Sequence, residues 1–264
     1  MKMRTTTIAL GTLAIAAATS NAAMFAIATS GSTAYRVNIG TGAVESFDLG
    51  DNIVSLAGLP SGEIVAFSNS KGPDGFEVYT LTDPTGTPSL SLIENRAKQA
   101  PSQTQAGDTL YAVSNGTLFT VNPSTYELSN VGGLGLSGSA KTAGGTGYDA
   151  ASDTFYYVAR DGNLYTIDDY DTASPSASLV GATGVDSFNH GMEFAGGTLY
   201  AALQNQAGST LRVGSIDTTS GTFTSIADIE IDGSAPTALA VVVPTPGAAA
   251  LIGAAGLAGM RRRR

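Results

Sequence analysis

The chain has no cysteine, no tryptophan, a single histidine and only 13 lysines and arginines among 264 residues. Without cysteine there is no disulfide, no thiolate metal site and no cysteine nucleophile, so the fold must stand on packing and hydrogen bonds. One histidine leaves no partner for a multi-histidine metal site. Aromatic residues make up 7% of the chain, against 33 glycines. Glycine weakens helices, and the frequent threonine and valine suit short pleated strands, so this composition predicts an all-β fold.

Basic residues are scarcer still in the body. Lys2, Arg4 and the run Arg261 to Arg264 leave only seven for residues 23–260, which hold all 22 acidic residues, a formal charge of −15. A surface of that sign repels phosphate backbones, which excludes nucleic acid as a partner.

The two ends differ from the body. Lys2 and Arg4 form a basic n-region, Ile8 to Ala18 an apolar h-region, and Ser20-Asn21-Ala22 a small-residue cleavage site. This is the pattern of a secretory signal peptide, residues 1–22, cut between Ala22 and Ala23. At the other end, Pro244 and Pro246 keep the chain extended and open to a processing enzyme. Gly247 to Met260 then supplies 14 apolar or small residues, about 21 Å as a helix, against about 30 Å for a bilayer core. The four arginines that follow would hold such a helix end on the cytoplasmic side while the body stays outside.

Pro244-Thr245-Pro246-Gly247, the apolar stretch and Arg261, Arg262, Arg263 and Arg264 together resemble a PEP-CTERM sorting signal, with Thr245 where the namesake motif has glutamate. The resemblance covers residues 244–264 only. It implies recognition by an exosortase, transient residence of the C-terminal helix in the inner membrane of a Gram-negative bacterium, and release to a cell surface or matrix rich in exopolysaccharide. The other reading of the tail is a plain membrane anchor.

Between the ends, residues 23–243 repeat themselves. Five segments share an apolar, aromatic-bearing pattern: MFAIATS at Met24, EIVAFSN at Glu63, TLYAVSN at Thr109, TFYYVAR at Thr154 and TLYAALQ at Thr198, spaced by 39, 46, 45 and 44 residues. A second set interleaves with them, at Ala34, Phe76, Gly116, Gly162 and Thr210. A period near 45 with about four short strands per unit marks a β-propeller, whose blades bury their faces against one another. PTALAVV, Pro236 to Val242, lacks a closing strand, and the N-terminal strand at Met24 supplies one. The reading is a five-bladed β-propeller closed by the N-terminal strand, with that strand outermost in a blade otherwise built from residues 210–242. A β-sandwich or jelly roll, or another blade number, is the alternative.

Motifs that would carry chemistry are weak. Gly133 to Gly138 matches G-x-G-x-x-G, and Gly135 to Thr142 nearly matches a P-loop, but neither is followed by a helical pattern whose first N–H groups could cradle phosphate. An inter-strand loop is expected there. His190 stands near Asp186 without a nucleophile elbow and is expected in a loop or at a strand edge. Asp168, Asp169 and Asp171 lack the glycine-centred loop of an EF-hand and read as an acidic turn. No catalytic residue, cofactor or metal is assigned.

The expectation is therefore an exported structural or interaction protein of the cell surface or exopolysaccharide matrix, not an enzyme, with extracellular polysaccharide as a further partner. A carbohydrate- or small-ligand-binding propeller is the alternative, with Tyr111, Tyr156, Tyr157, Tyr165 and Tyr200 as stacking surfaces unless they pack between blades. A propeller hydrolase would need carboxylates converging at the central channel.

Overall fold

In the computed structural model, the residues described are 23–59, 61–72, 75–96, 102–142, 144–205, 207–233 and 235–243. The signal peptide and the sorting-signal residues from Pro244 onward lie outside them. Among the described residues no helix is long and apolar enough to cross a membrane.

Twenty strands in these residues form five four-stranded antiparallel sheets set in a ring, a five-bladed β-propeller. The second blade is β4 (Ile53–Gly58), β5 (Ile64–Gly72), β6 (Gly75–Thr82) and β7 (Ser89–Arg96), from axis to rim. The third is β8 (Gln103–Ala106), β9 (Thr109–Ser114), β10 (Thr117–Val121) and β11 (Leu128–Gly133). The fourth is β12 (Gly145–Asp149), β13 (Thr154–Val158), β14 (Asn163–Asp168) and β15 (Ser176–Ala182). The fifth is β16 (Ser187–Ala195), β17 (Thr198–Asn205), β18 (Thr210–Ile216) and β19 (Phe223–Glu230).

The first blade joins the two ends of the body, in the order β20 (Thr237–Val242), β1 (Phe25–Ser30), β2 (Thr33–Asn38), β3 (Val44–Asp48). The expected pairing of the N-terminal strand with the C-terminal one is present, with Ile27 opposite Ala240. Its place differs from the expectation. β1 is second from the axis, not outermost, and residues 210–230 belong to the complete fifth blade. The reason is burial: β20 up to Val241 and the centre of β1 are both buried, while the outer strand β3 is mostly exposed.

The five apolar repeats are the second strands of the five blades, and the interleaved set supplies the third strands. Side chains of a strand alternate between faces, so each second strand feeds two neighbours. In β17, Tyr200 and Ala202 pack toward the first blade, while Leu199, Ala201 and Leu203 pack toward the fourth. In β13, Tyr156 and Val158 face the fifth blade, and Phe155 and Tyr157 the third. The core is thus five separate apolar clusters, one at each junction between blades. Each fully buried large apolar side chain in them contributes about 1.5–3 kcal/mol.

At the axis the inner strands approach backbone to backbone, and this needs residues without side chains. A Cβ on Gly191 of β16 would sit 2.2 Å from the Leu239 nitrogen of β20, and one on Gly145 of β12 would sit 2.8 Å from the Met192 nitrogen. Between third and fourth strands the register slips at matching places in four blades, at Val78/Tyr79, Leu118/Phe119, Leu164/Tyr165 and Val213/Gly214. Such bulges raise the local twist that lets flat sheets pack as blades.

Candidate functional site

A void of about 10 Å³, roughly one water molecule, lies at the axis among the five inner strands. Its wall is polar toward the ends where β4, β8, β12, β16 and β20 begin: Ser55, Ser102, Gln103, Thr146, His190 and Thr237 are all buried there. Hydrogen bonds across the wall tie blade to blade. The Ser102 hydroxyl donates to Thr146 Oγ1 at 3.1 Å, and the Gln103 N–H donates to Ser55 Oγ at 3.1 Å.

His190 lies on an edge strand, as expected from the sequence, but that edge is the inner wall of the ring and the residue is 4% exposed. It is packed into the wall between β12 and β20, beside the void of about 10 Å³.

Glu193 of β16 is the group that sequence reasoning missed. The residue is half-buried, with its carboxylate turned inward, where Oε2 accepts the Val241 N–H of β20 at 2.5 Å. Oε1 approaches Gly58 at the end of β4 so closely that a Cβ there would lie 2.5 Å away. Three blades therefore meet at one carboxylate. Burial pushes its pKa up from 4.5 to about 7, and the Val241 N–H offsets only part of that rise. No nearby sequence feature announces this, because Val241 and Gly58 are brought to Glu193 only by ring closure.

A second feature lies at the junction of the third, fourth and fifth blades. An open depression of about 600 Å³ is lined by Gly138, Ser139, Thr142, Arg160, Asp161 and Asp186. Its first wall is the segment with the P-loop-like spacing. That segment connects β11 to β12 through a single turn of 3-10 helix, Gly138–Lys141, so no α-helix N-terminus faces a ligand there. The second wall is the β13–β14 turn. Here Asp161 accepts the Asn163 backbone N–H at 3.1 Å, the Asn163 side-chain amide at 3.0 Å and the Tyr165 hydroxyl at 2.7 Å. Asp186, exposed, stands on the connection from β15 to β16.

Hydrogen bonds hold the three walls. The Tyr157 hydroxyl donates to the Ala140 carbonyl at 3.3 Å, and the Thr142 hydroxyl to the Ser139 carbonyl at 2.9 Å. The Thr183 hydroxyl donates to the Gly162 carbonyl at 2.8 Å, stitching the connection that bears Asp186 to the turn that bears Arg160 and Asp161.

The tyrosines pack as strand alternation requires. Tyr111, Tyr156, Tyr157 and Tyr200 are buried between blades, and Tyr165 is half-buried against Asp161. Asp168 ends β14 and accepts the Ser178 hydroxyl, and Asp169 and Asp171 lie in the exposed turn that follows. Among the described residues no three histidine, aspartate or glutamate side chains converge to hold a metal ion.

No protein-family model matches the sequence, and no curated protein matches it. Solved structures resemble it at low identity. A protein of unknown function from Bacteroides thetaiotaomicron is 16% identical with a TM-score of 0.50, over 82% of this chain and 62% of that one. An auxiliary nutrient binding protein from Bacteroides ovatus is 14% identical with a TM-score of 0.45, over 73% and 51%. The hydrazine synthase of Kuenenia stuttgartiensis is 15% identical with a TM-score of 0.40, over 68% and 49%. The chain spans less than two thirds of the length of each, and the first likeness, at 16% identity, speaks for the fold alone.

Proposed function

We propose that this chain is an exported interaction scaffold, displayed at the cell surface or in the exopolysaccharide matrix of a Gram-negative bacterium, and that it is not an enzyme. The observation that carries the reading is the close approach of the inner strands at the axis, backbone to backbone at Gly191 and Gly145, where the void they line holds about 10 Å³, so that recognition falls to the outer surface of the ring. That surface belongs to a body of formal charge −15, suited to staying soluble among anionic polymers and unsuited to nucleic acid. Glu193, a raised carboxylate at the axis, is met by no second carboxylate among the described residues, whereas glycoside hydrolysis uses a pair.

The ends of the sequence support the route. Residues 1–22 would be removed at Ala22–Ala23, and an exosortase would act on the Pro244-Thr245-Pro246-Gly247 tail while the apolar helix resides in the inner membrane. The test is mass spectrometry of protein secreted from a host that carries an exosortase. The expected product begins at Ala23 and lacks Gly247 to Arg264. Secreted protein that keeps Arg261 to Arg264 would overturn the sorting role.

A second reading, a propeller that binds a saccharide or another small ligand, is favoured by the depression at Arg160 and Asp186.

A further inference from the structure

We infer that the depression between the third, fourth and fifth blades is a binding site for neutral, hydroxyl-rich saccharides. This rests on the second reading above and gives it a place and a ligand class.

Size and rigidity come first. Ligand sites commonly measure about 300–1,000 Å³ and are largely formed before the ligand arrives, and the depression measures about 600 Å³. Its walls are fixed by bonds that do not depend on a ligand: Tyr157 to the 3-10 turn, Thr183 to Gly162, and Asn163 and Tyr165 to Asp161. A ligand entering it meets walls whose backbone is already placed, which lowers the entropic cost of binding.

The groups select the chemistry. Ser139 and Thr142 offer hydroxyls, Arg160 offers a planar fork of donors, and Asp186 offers a carboxylate that accepts hydrogen bonds from adjacent hydroxyls. This mixture of donors and acceptors matches a pyranose, whose hydroxyls both donate and accept.

A metal cation fits less well. The Asp161 oxygens already take three hydrogen bonds, and no group of three metal-ligating side chains forms among the described residues. A polyanion fits poorly too, because one arginine is set beside two aspartates on a body of charge −15.

The experiment uses the full chain, an array of neutral hexose oligosaccharides and polyuronates, and titration calorimetry with the neutral oligosaccharide that binds best. Binding of a neutral oligosaccharide is expected. Asp186→Ala and Arg160→Ala should each weaken it about tenfold or more, the scale of one lost hydrogen bond to a charged group. Asp153→Ala, at the turn between β12 and β13, should leave it unchanged. Failure of every neutral oligosaccharide to bind at millimolar concentration would overturn the proposal. So would preferential binding of a polyuronate or a peptide, or affinity indifferent to Asp186→Ala and Arg160→Ala. Cell fractionation of the Asp186→Ala variant separates this site from surface display, which should persist when saccharide binding is lost.

Discussion

The carboxylate of Glu193, on the inner strand of the last complete blade, accepts the backbone N–H of Val241, on the strand that closes the ring, at 2.5 Å. A half-buried acid thus joins the ring-closing strand to its neighbour, and the joint depends on protonation. The folded protein holds the Glu193 proton up to about pH 7, whereas the unfolded chain releases it near 4.5. Between these values the folded state binds more protons, so this group's contribution falls as pH rises and levels off above about 7. The shift corresponds to about 3 kcal/mol, an upper value for a residue that is partly reachable by water. Glu193→Gln keeps a carbonyl to accept the Val241 N–H but carries no charge. The variant should melt higher than the parent at pH 8, and the gap should close by pH 5. Parallel melting-temperature curves from pH 5 to 8 would show that Glu193 does not titrate as argued.

Gly191 tests how tightly the inner strands meet. Its missing Cβ would fall 2.2 Å from the Leu239 nitrogen and 2.3 Å from the Ala238 carbonyl carbon, both backbone atoms that cannot turn aside. Gly191→Ala should separate the fifth and first blades and destabilise by about 3 kcal/mol or more, at the upper end of single-substitution effects. At Gly133, no atom would meet an added Cβ within 4 Å, and Gly133→Ala should stay within about 0.5 kcal/mol of the parent. Denaturant titration of the two variants checks the contrast.

These positions also mark how far the sequence could be read. Second and third strands were legible because they are long, apolar in alternation and alike from blade to blade, as TLYAVS at β9 and TLYAAL within β17 show. Inner strands other than β20, read from PTALAVV, were not. Gln103–Ala106 and Gly145–Asp149 are short and hold residues chosen by the neighbouring blade's backbone, which local patterning does not encode. Outer strands such as β3 and β15 expose most of their residues and lose the apolar signal. The site was hidden for the same reason. Asp186 and Arg160 are unremarkable in sequence, and the P-loop-like spacing at Gly135 to Thr142 suggested a phosphate cradle, whereas its residues form one wall of a depression whose other walls come from later strands.

Thr29 makes a small test of closure. Its hydroxyl oxygen accepts the Ala238 N–H at 3.1 Å, and both residues are buried. Thr29→Val keeps the shape but removes this side-chain acceptor, leaving the Ala238 N–H to the facing Thr29 carbonyl of the β1–β20 ladder, at a cost of about 1 kcal/mol. Amide hydrogen exchange should quicken first at Ala238. Unchanged exchange there would mean that the ladder between β1 and β20 satisfies this group unaided.

Removing β1 altogether is the large test. Ile27 belongs to the cluster between the first and second blades, while Ala26 and Ala28 belong to the cluster between the first and fifth, so one strand serves two junctions. It also lies between β20 and β2, hydrogen-bonded to both. A chain beginning at Gly31 would leave β20 without its strand partner and β2 with a bare edge. Exposed edges of that kind pair with other chains. The lost burial of Ile27 alone contributes about 1.5–3 kcal/mol, and the lost ladder adds to it, against about 5–15 kcal/mol for a typical domain. The truncated protein should be insoluble or partly unfolded, and adding back a peptide of residues 23–31 should restore solubility by refilling the gap. Sedimentation and circular dichroism measure both outcomes. A soluble monomer from Gly31 with an unchanged melting temperature would show that the ring does not depend on the pairing of its two ends.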